Sequence, residues 1–146
     1  MVDVTTDVLI RCPRDKVSEY TSDSDNAPMW YQNIKSVEWK TPKPLTLGAQ
    51  IAFRARFLGR QLAYVYEISE LVPGQKLVMR TADGPFSMET TYLWEDIEEK
   101  TTRMTLRNGG SPTGFSRFFA PFMSLAMRRA NQKDLKRLKF ILEKEQ

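Results

Sequence analysis

Histidine is missing from this chain, and cysteine occurs once, as Cys12. The first absence removes the usual general base, the serine and cysteine triads, and the zinc and non-haem iron sites built on imidazole. The second excludes an internal disulfide and any multi-thiolate metal or iron–sulfur site within the chain. No Asn-x-Ser/Thr acceptor occurs either. Long apolar runs are also lacking: Phe115 to Met127, the most apolar stretch, contains Arg117 and Pro121 and falls short of the ~20 residues that span a bilayer. Met1 to Asp7 carry acids where a secretory leader would need a basic start and an apolar run. A cytoplasmic location is the expectation.

What is present is a chain able to bury a core. Its 146 residues are 41% hydrophobic and 27% charged, which argues for a globular fold rather than disorder. A length of this order suits one domain, here spanning 1–146, that buries roughly 70% of the surface of its unfolded form. The net charge of +4 is unevenly placed: residues 1–127 hold 15 basic and 15 acidic side chains, whereas residues 128–146 hold seven basic and three acidic. Such an excess suits nucleic acid, an anionic membrane, or simply the solvated face of an amphipathic helix. The solvated face is preferred, and nucleic acid is not an expected partner.

Alternation with period two dominates the first three-quarters of the chain. Val2, Val4, Thr6, Val8 and Ile10 alternate with polar residues as in a half-buried strand. Pro13 suits a first helical position, with Val17 and Tyr20 on one helical face. A turn-rich stretch from Ser22 to Pro28 leads to Met29, Trp30 and Tyr31, a short second helix or loop. Six further strands are predicted between residues 34 and 109, separated by turn signals such as Val72-Pro73-Gly74-Gln75 and Ala82-Asp83-Gly84-Pro85. In the first of them, Ile34, Ser36 and Glu38 share one face and Lys35, Val37 and Trp39 the other. Their short connections predict antiparallel neighbours. Asn108-Gly109-Gly110-Ser111-Pro112 is read as the break after the last strand, with Ser111 as N-cap and Pro112 in the first turn of a closing helix. In that helix Leu135, Leu138 and Leu142 recur at helical spacing, and Pro121 is expected to bend or split it. The glycine-rich Gly109 to Gly114 is not a phosphate loop, because Phe115-Ser116 follows where Lys-Ser/Thr is required.

The order strand, two short helices, six antiparallel strands and long helix resembles the helix-grip fold of the START and birch-pollen-allergen superfamily. Within it the chain is similar to the polyketide cyclase/dehydrase-like (SRPBCC) branch. The resemblance is carried by Ile10-Arg11-Cys12-Pro13, Pro28 with Trp30, Gly48, Val72-Pro73-Gly74, Gly84-Pro85-Phe86, Tyr92 to Glu95, Thr102 to Leu106, and Asp134 to Lys139. It implies an α+β fold in which a curved seven-stranded antiparallel sheet wraps around the C-terminal helix. It also implies a cavity between the two.

Strand parity supplies the walls. With the apolar set inward, Ile51, Phe53, Phe57, Leu62, Tyr64, Tyr66, Ile68, Leu77, Met79, Phe86, Met88, Tyr92, Trp94, Met104 and Leu106 face one side. Arg54, Arg56, Glu67, Arg80, Glu89, Glu95, Arg103 and Arg107 face the other. The inner face is thus almost free of charge, with phenols and hydroxyls (Thr6, Thr90 and Thr102 among them, and the amide Asn108) as its polar content. This pattern fits a ligand pocket or a filled core, and the resemblance favours the pocket. The residues expected to touch a ligand are Trp30, Phe53, Phe57, Tyr64, Tyr66, Met79, Met88, Tyr92, Trp94, Met104, Phe119, Met123 and Met127. No catalytic residue, metal or cofactor is assigned.

The leading expectation is binding or transport of a small hydrophobic molecule: a lipid, isoprenoid, polyketide or aromatic metabolite. The first alternative is a cyclase or dehydratase acting mainly by holding its substrate. The second is a protein-interaction module using the basic face of the last helix. The Phe/Met segment 115–129 closes the cavity, gates it at Pro121, or touches a membrane transiently.

Overall fold

A computed structural model describes residues 2–57, 59–83, 87–111 and 120–144. Strand β1 (Val2–Ile10) leads into helix α1 (Arg14–Ser22), a single 3-10 turn (Ser24–Asn26) and helix α2 (Ala27–Trp30). Six strands follow: β2 (Ile34–Trp39), β3 (Gln50–Phe57), β4 (Arg60–Val72), β5 (Lys76–Asp83), β6 (Ser87–Glu98) and β7 (Thr101–Ser111). Helix α3 (Ala120–Lys144) closes the chain. All seven strands form one antiparallel sheet in the order β1-β7-β6-β5-β4-β3-β2. The sheet stays open, with β1 and β2 at its edges. One face packs on α3, the helix-grip arrangement that the resemblance implies.

The core is the inward parity of the strands meeting the leucine stripe of α3. Ile10, Ile51, Ile68, Leu77, Met104 and Leu106 meet Leu135, Leu138 and Leu142, all of them buried. Each fully buried leucine contributes about 1.5–3 kcal/mol relative to exposure. The outer face carries the charges, several in cross-strand pairs: Arg80 with Glu89 at 2.6 Å, Arg107 with Asp3 at 2.7 Å, Arg103 with Asp7 at 3.5 Å. Among the described residues, no helix is long and apolar enough to cross a membrane.

Three local expectations change. In β2 the alternation is broken by a bulge between Ile34 and Ser36, so Ile34 is buried and Val37 and Trp39 then turn to the same side. The inserted residue shifts the phase by one, which uninterrupted alternation cannot anticipate. Asn108 to Ser111 do not break β7, because they pair with β1 on one side and β6 on the other. Glycine fits there through close approach: a Cβ on Gly110 would lie 2.2 Å from the Ser87 carbonyl oxygen. Ser111 is therefore the last residue of a strand rather than a helix cap, and Pro112 lies outside the described residues. The described part of α3 runs unbroken from Ala120 through Pro121 to Lys144, and the residues before Ala120, on which the expected bend or split at Pro121 depends, lie outside the described residues.

The basic residues of α3 do more than solvate it. As an edge strand, β1 offers unpaired carbonyls on the side away from β7. Arg128 donates to the Thr5 carbonyl at 3.1 Å and Lys139 to the Leu9 carbonyl at 3.0 Å, while the Arg11 N–H donates to Glu143 at 2.9 Å. The helix thus covers the sheet edge with charged side chains as well as with its apolar stripe.

Candidate ligand-binding cavity

Between the sheet and α3 lies a cavity of about 130 Å³. β3 supplies Phe53, Ala55 and Phe57 to its wall, β4 Leu62, Tyr64 and Tyr66, and β5 Leu77 and Met79. β6 adds Met88, Thr90 and Tyr92; β7 adds Asn108, Gly109 and Gly110. The other side is α3, with Met123, Met127, Ala130, Asn131 and Asp134, and the end near α2 holds Ala27, Tyr31 and Ile34. Inward strand positions are same-face neighbours every second residue, so the paired strands β3 and β4 place Phe53, Tyr64 and Tyr66 in one aromatic cluster. The Phe53 and Tyr64 rings stack at 5.6 Å, and Tyr66 meets both edge-on at 5.7 and 5.1 Å.

Polar atoms gather in three places. The Tyr31 and Tyr92 hydroxyls are 2.6 Å apart. Tyr66 donates to Thr90 at 2.7 Å, since the Thr90 hydroxyl itself donates to the Asn108 side-chain oxygen at 2.7 Å. Burial pushes the Tyr66 phenol up to about 12 and raises Tyr31, Tyr64 and Tyr92 as well. These phenols stay neutral near pH 7 and act as hydrogen-bonding groups rather than as bases.

The third polar place lies on α3. Asp134 is 2% exposed and accepts the Gln32 N–H at 3.0 Å. Burial pushes its carboxyl up to about 6, against the opposing pull of the Gln32 N–H and of Arg137. One turn earlier Asn131 is 4% exposed, and its side-chain NH2 has no hydrogen-bond partner among the described residues. An amide donor left unpaired at such depth costs about 1–3 kcal/mol unless something enters to accept it.

Nine of the residues expected to touch a ligand line this space: Phe53, Phe57, Tyr64, Tyr66, Met79, Met88, Tyr92, Met123 and Met127. Trp30, Trp94 and Met104 sit instead in the packed core behind the wall, each at most 2% exposed. Trp30 packs on Tyr31 at 4.0 Å and on Tyr92 at 5.9 Å, Trp94 packs on Tyr92 at 6.1 Å, and the Trp94 indole donates to Thr21 at 3.1 Å. The two indoles thereby fix the phenols that do face the cavity. Of the inward hydroxyls, Thr6 and Thr102 are spent on backbone carbonyls, those of Leu106 and Cys12. Phe119 lies outside the described residues, as do Phe86, Phe115 and Phe118.

Sequence reasoning passed over Asn131 and Asp134, counting Asp134 among the charges of a solvated segment. A signal was available. Met127, Asn131, Asp134 and Leu138 follow the 4-3-4 spacing of one helical stripe, so these two polar residues interrupt a face that is otherwise apolar. Tyr31, next to the expected Trp30, was missed because a short helix has no legible face.

Solved structures share this architecture. The START superfamily protein of Mycobacterium smegmatis superposes with a TM-score of 0.85 at 12% identity, covering 99% of each chain. The Zhui aromatase/cyclase of Streptomyces sp. R1128 gives 0.81 at 13% identity over 97% of this chain and 93% of that one. The major latex-like protein 151 of Panax ginseng gives 0.73 at 9% identity over 96% of each. At such identities the likeness is one of fold. No curated protein matches the chain. A family pattern does, over residues 1–143, and the chain belongs to the polyketide cyclase / dehydrase and lipid transport family.

Proposed function

We propose that this chain binds one small, largely apolar molecule between sheet and helix, with the polar end of that molecule held by Asn131 and Asp134. The observation that carries the reading is the cavity itself, walled by aromatic, aliphatic and methionine side chains and holding an unpartnered amide donor. Its volume of about 130 Å³ compares with the roughly 150 Å³ of an apolar cavity that admits benzene. A ring-sized body fits without rearrangement; a long acyl chain requires α3 to move away from the sheet. Asn131 offers a donor to a ligand carbonyl, and Asp134 a partner to a ligand hydroxyl.

The test is native mass spectrometry of the protein purified gently from its own cells, before and after denaturing extraction. A discrete additional mass, released on denaturation and containing a ring with an oxygen function, is the expected result, and Asn131→Leu should retain less of it. A clean apo mass in both proteins would count against a carrier role.

One observation favours a second reading, a cyclase or dehydratase. The lack of histidine does not leave the cavity without a titratable group, since Asp134 changes charge at about pH 6 beside the bound molecule. Holding a flexible substrate in a reactive conformation can contribute about 7–11 kcal/mol, and a carboxyl in this range can then exchange a proton with it. Turnover with an inflection near pH 6 that Asp134→Asn abolishes would select this reading over simple carriage.

A further inference from the structure

The face of α3 turned away from the cavity has its own chemistry. At roughly 100° per residue, Met123, Met127, Asn131 and Asp134 point to one side, and Phe122, Leu125, Arg129, Lys133, Lys136 and Phe140 share the opposite arc. On that arc Phe122 is 68% exposed, Leu125 50% and Phe140 66%. Arg129, Lys133 and Lys136 between them are exposed as well. Among the described residues of α3 the acids are elsewhere: Asp134 is buried, and Glu143 is held by Lys139 and the Arg11 N–H. Phe122 and Phe140 lie 18 residues apart, about 27 Å along the axis at 1.5 Å per residue.

We infer that this outer face of α3 docks on an anionic lipid bilayer, with the helix lying flat at the headgroup level. Three large apolar side chains spaced along a basic stripe free of acids match an interface that accepts both. Nucleic acid or an acidic protein would reward Arg129, Lys133 and Lys136 but gives the exposed phenylalanines no place to go. A second copy of the chain would bring the same positive stripe against itself. Apolar contacts spread along ~27 Å suit a flat, yielding surface better than a single protein pocket. The sequence pointed to segment 115–129 for such contact; among the described residues the exposed stripe includes Phe122 within it and runs on to Phe140. The inference stands independently of what fills the cavity.

The experiment is co-sedimentation of the full chain with vesicles of phosphatidylcholine alone, or of phosphatidylcholine mixed with phosphatidylglycerol, at about 0.05 M and about 0.5 M salt. Binding to the anionic vesicles is expected at low salt, with loss at high salt and little binding to neutral vesicles. Lys133→Glu with Lys136→Glu should weaken it by about tenfold or more. Phe122→Ser with Phe140→Ser should weaken it comparably. Both pairs are exposed, so unchanged melting curves are expected to show that the variants fold. The inference is overturned if anionic vesicles bring down no protein at low salt, or if either pair binds like the parent. A dimer abolished by the phenylalanine pair, without vesicle binding, would overturn it in favour of self-association.

Discussion

Replacing Asp134 with asparagine should stabilise the protein, and by an amount that depends on pH. Asp134 is almost fully buried, and burial raises its carboxyl from 3.8 to about 6. A carboxyl that holds its proton more tightly folded than unfolded favours folding in acid. Its contribution is complete below pH 3.8 and lost as the pH rises through about 6. A shift of roughly two units corresponds to about 3 kcal/mol at pH 8, where the folded state must carry a buried anion, and about half that remains at pH 5. Asparagine resembles the protonated acid in shape and can still accept the Gln32 N–H, so it removes the charge without opening a hole. The assay is urea denaturation of both proteins at pH 8 and pH 5. Comparison at each pH cancels the carboxylates that act in the opposite sense, all held below their usual values by hydrogen bonds: Asp3 by Arg107, Asp25 by Lys43 and Trp39, and Glu143 by the Arg11 N–H and Lys139. A gap that is absent at pH 8, or that fails to narrow toward pH 5, would refute the claim that a desolvated carboxylate faces the cavity.

Two further variants probe the scaffold. Gly110→Ala should lower stability by more than the ~1 kcal/mol of an ordinary strand substitution, because the new methyl would meet the Ser87 carbonyl at 2.2 Å; a melting temperature equal to that of the parent would show that β6 gives way freely. Arg128→Ala combined with Lys139→Ala uncovers the free edge of β1 and should cost about 1 kcal/mol in urea while speeding amide exchange in β1. Unchanged exchange would mean that leucine packing alone seals that edge.

The sequence by itself determined the elements and their faces. Alternation from Ile51 to Leu106 specified which side of each strand meets the core, since period two leaves only two choices and the charges decide between them. The spacing of Leu135, Leu138 and Leu142 specified the buried stripe of α3 in the same way. Tertiary structure decided what periodicity does not encode. A one-residue bulge turned Val37 and Trp39 toward the side of Ile34. Pairing on both sides kept Asn108 to Ser111 in β7 although Asn-Gly-Gly-Ser reads as a break. Depth separated Trp30, Trp94 and Met104, which pack behind the wall, from Tyr64, Tyr66 and Met88, which form it. A face pattern says which way a side chain points, not how far the opposing helix stands from it. Asp134 shows the difference most clearly: in the sequence it is one acid in a basic stretch, and only tertiary packing around that turn of helix, with the Gln32 N–H brought against it, removes its water and raises its carboxyl.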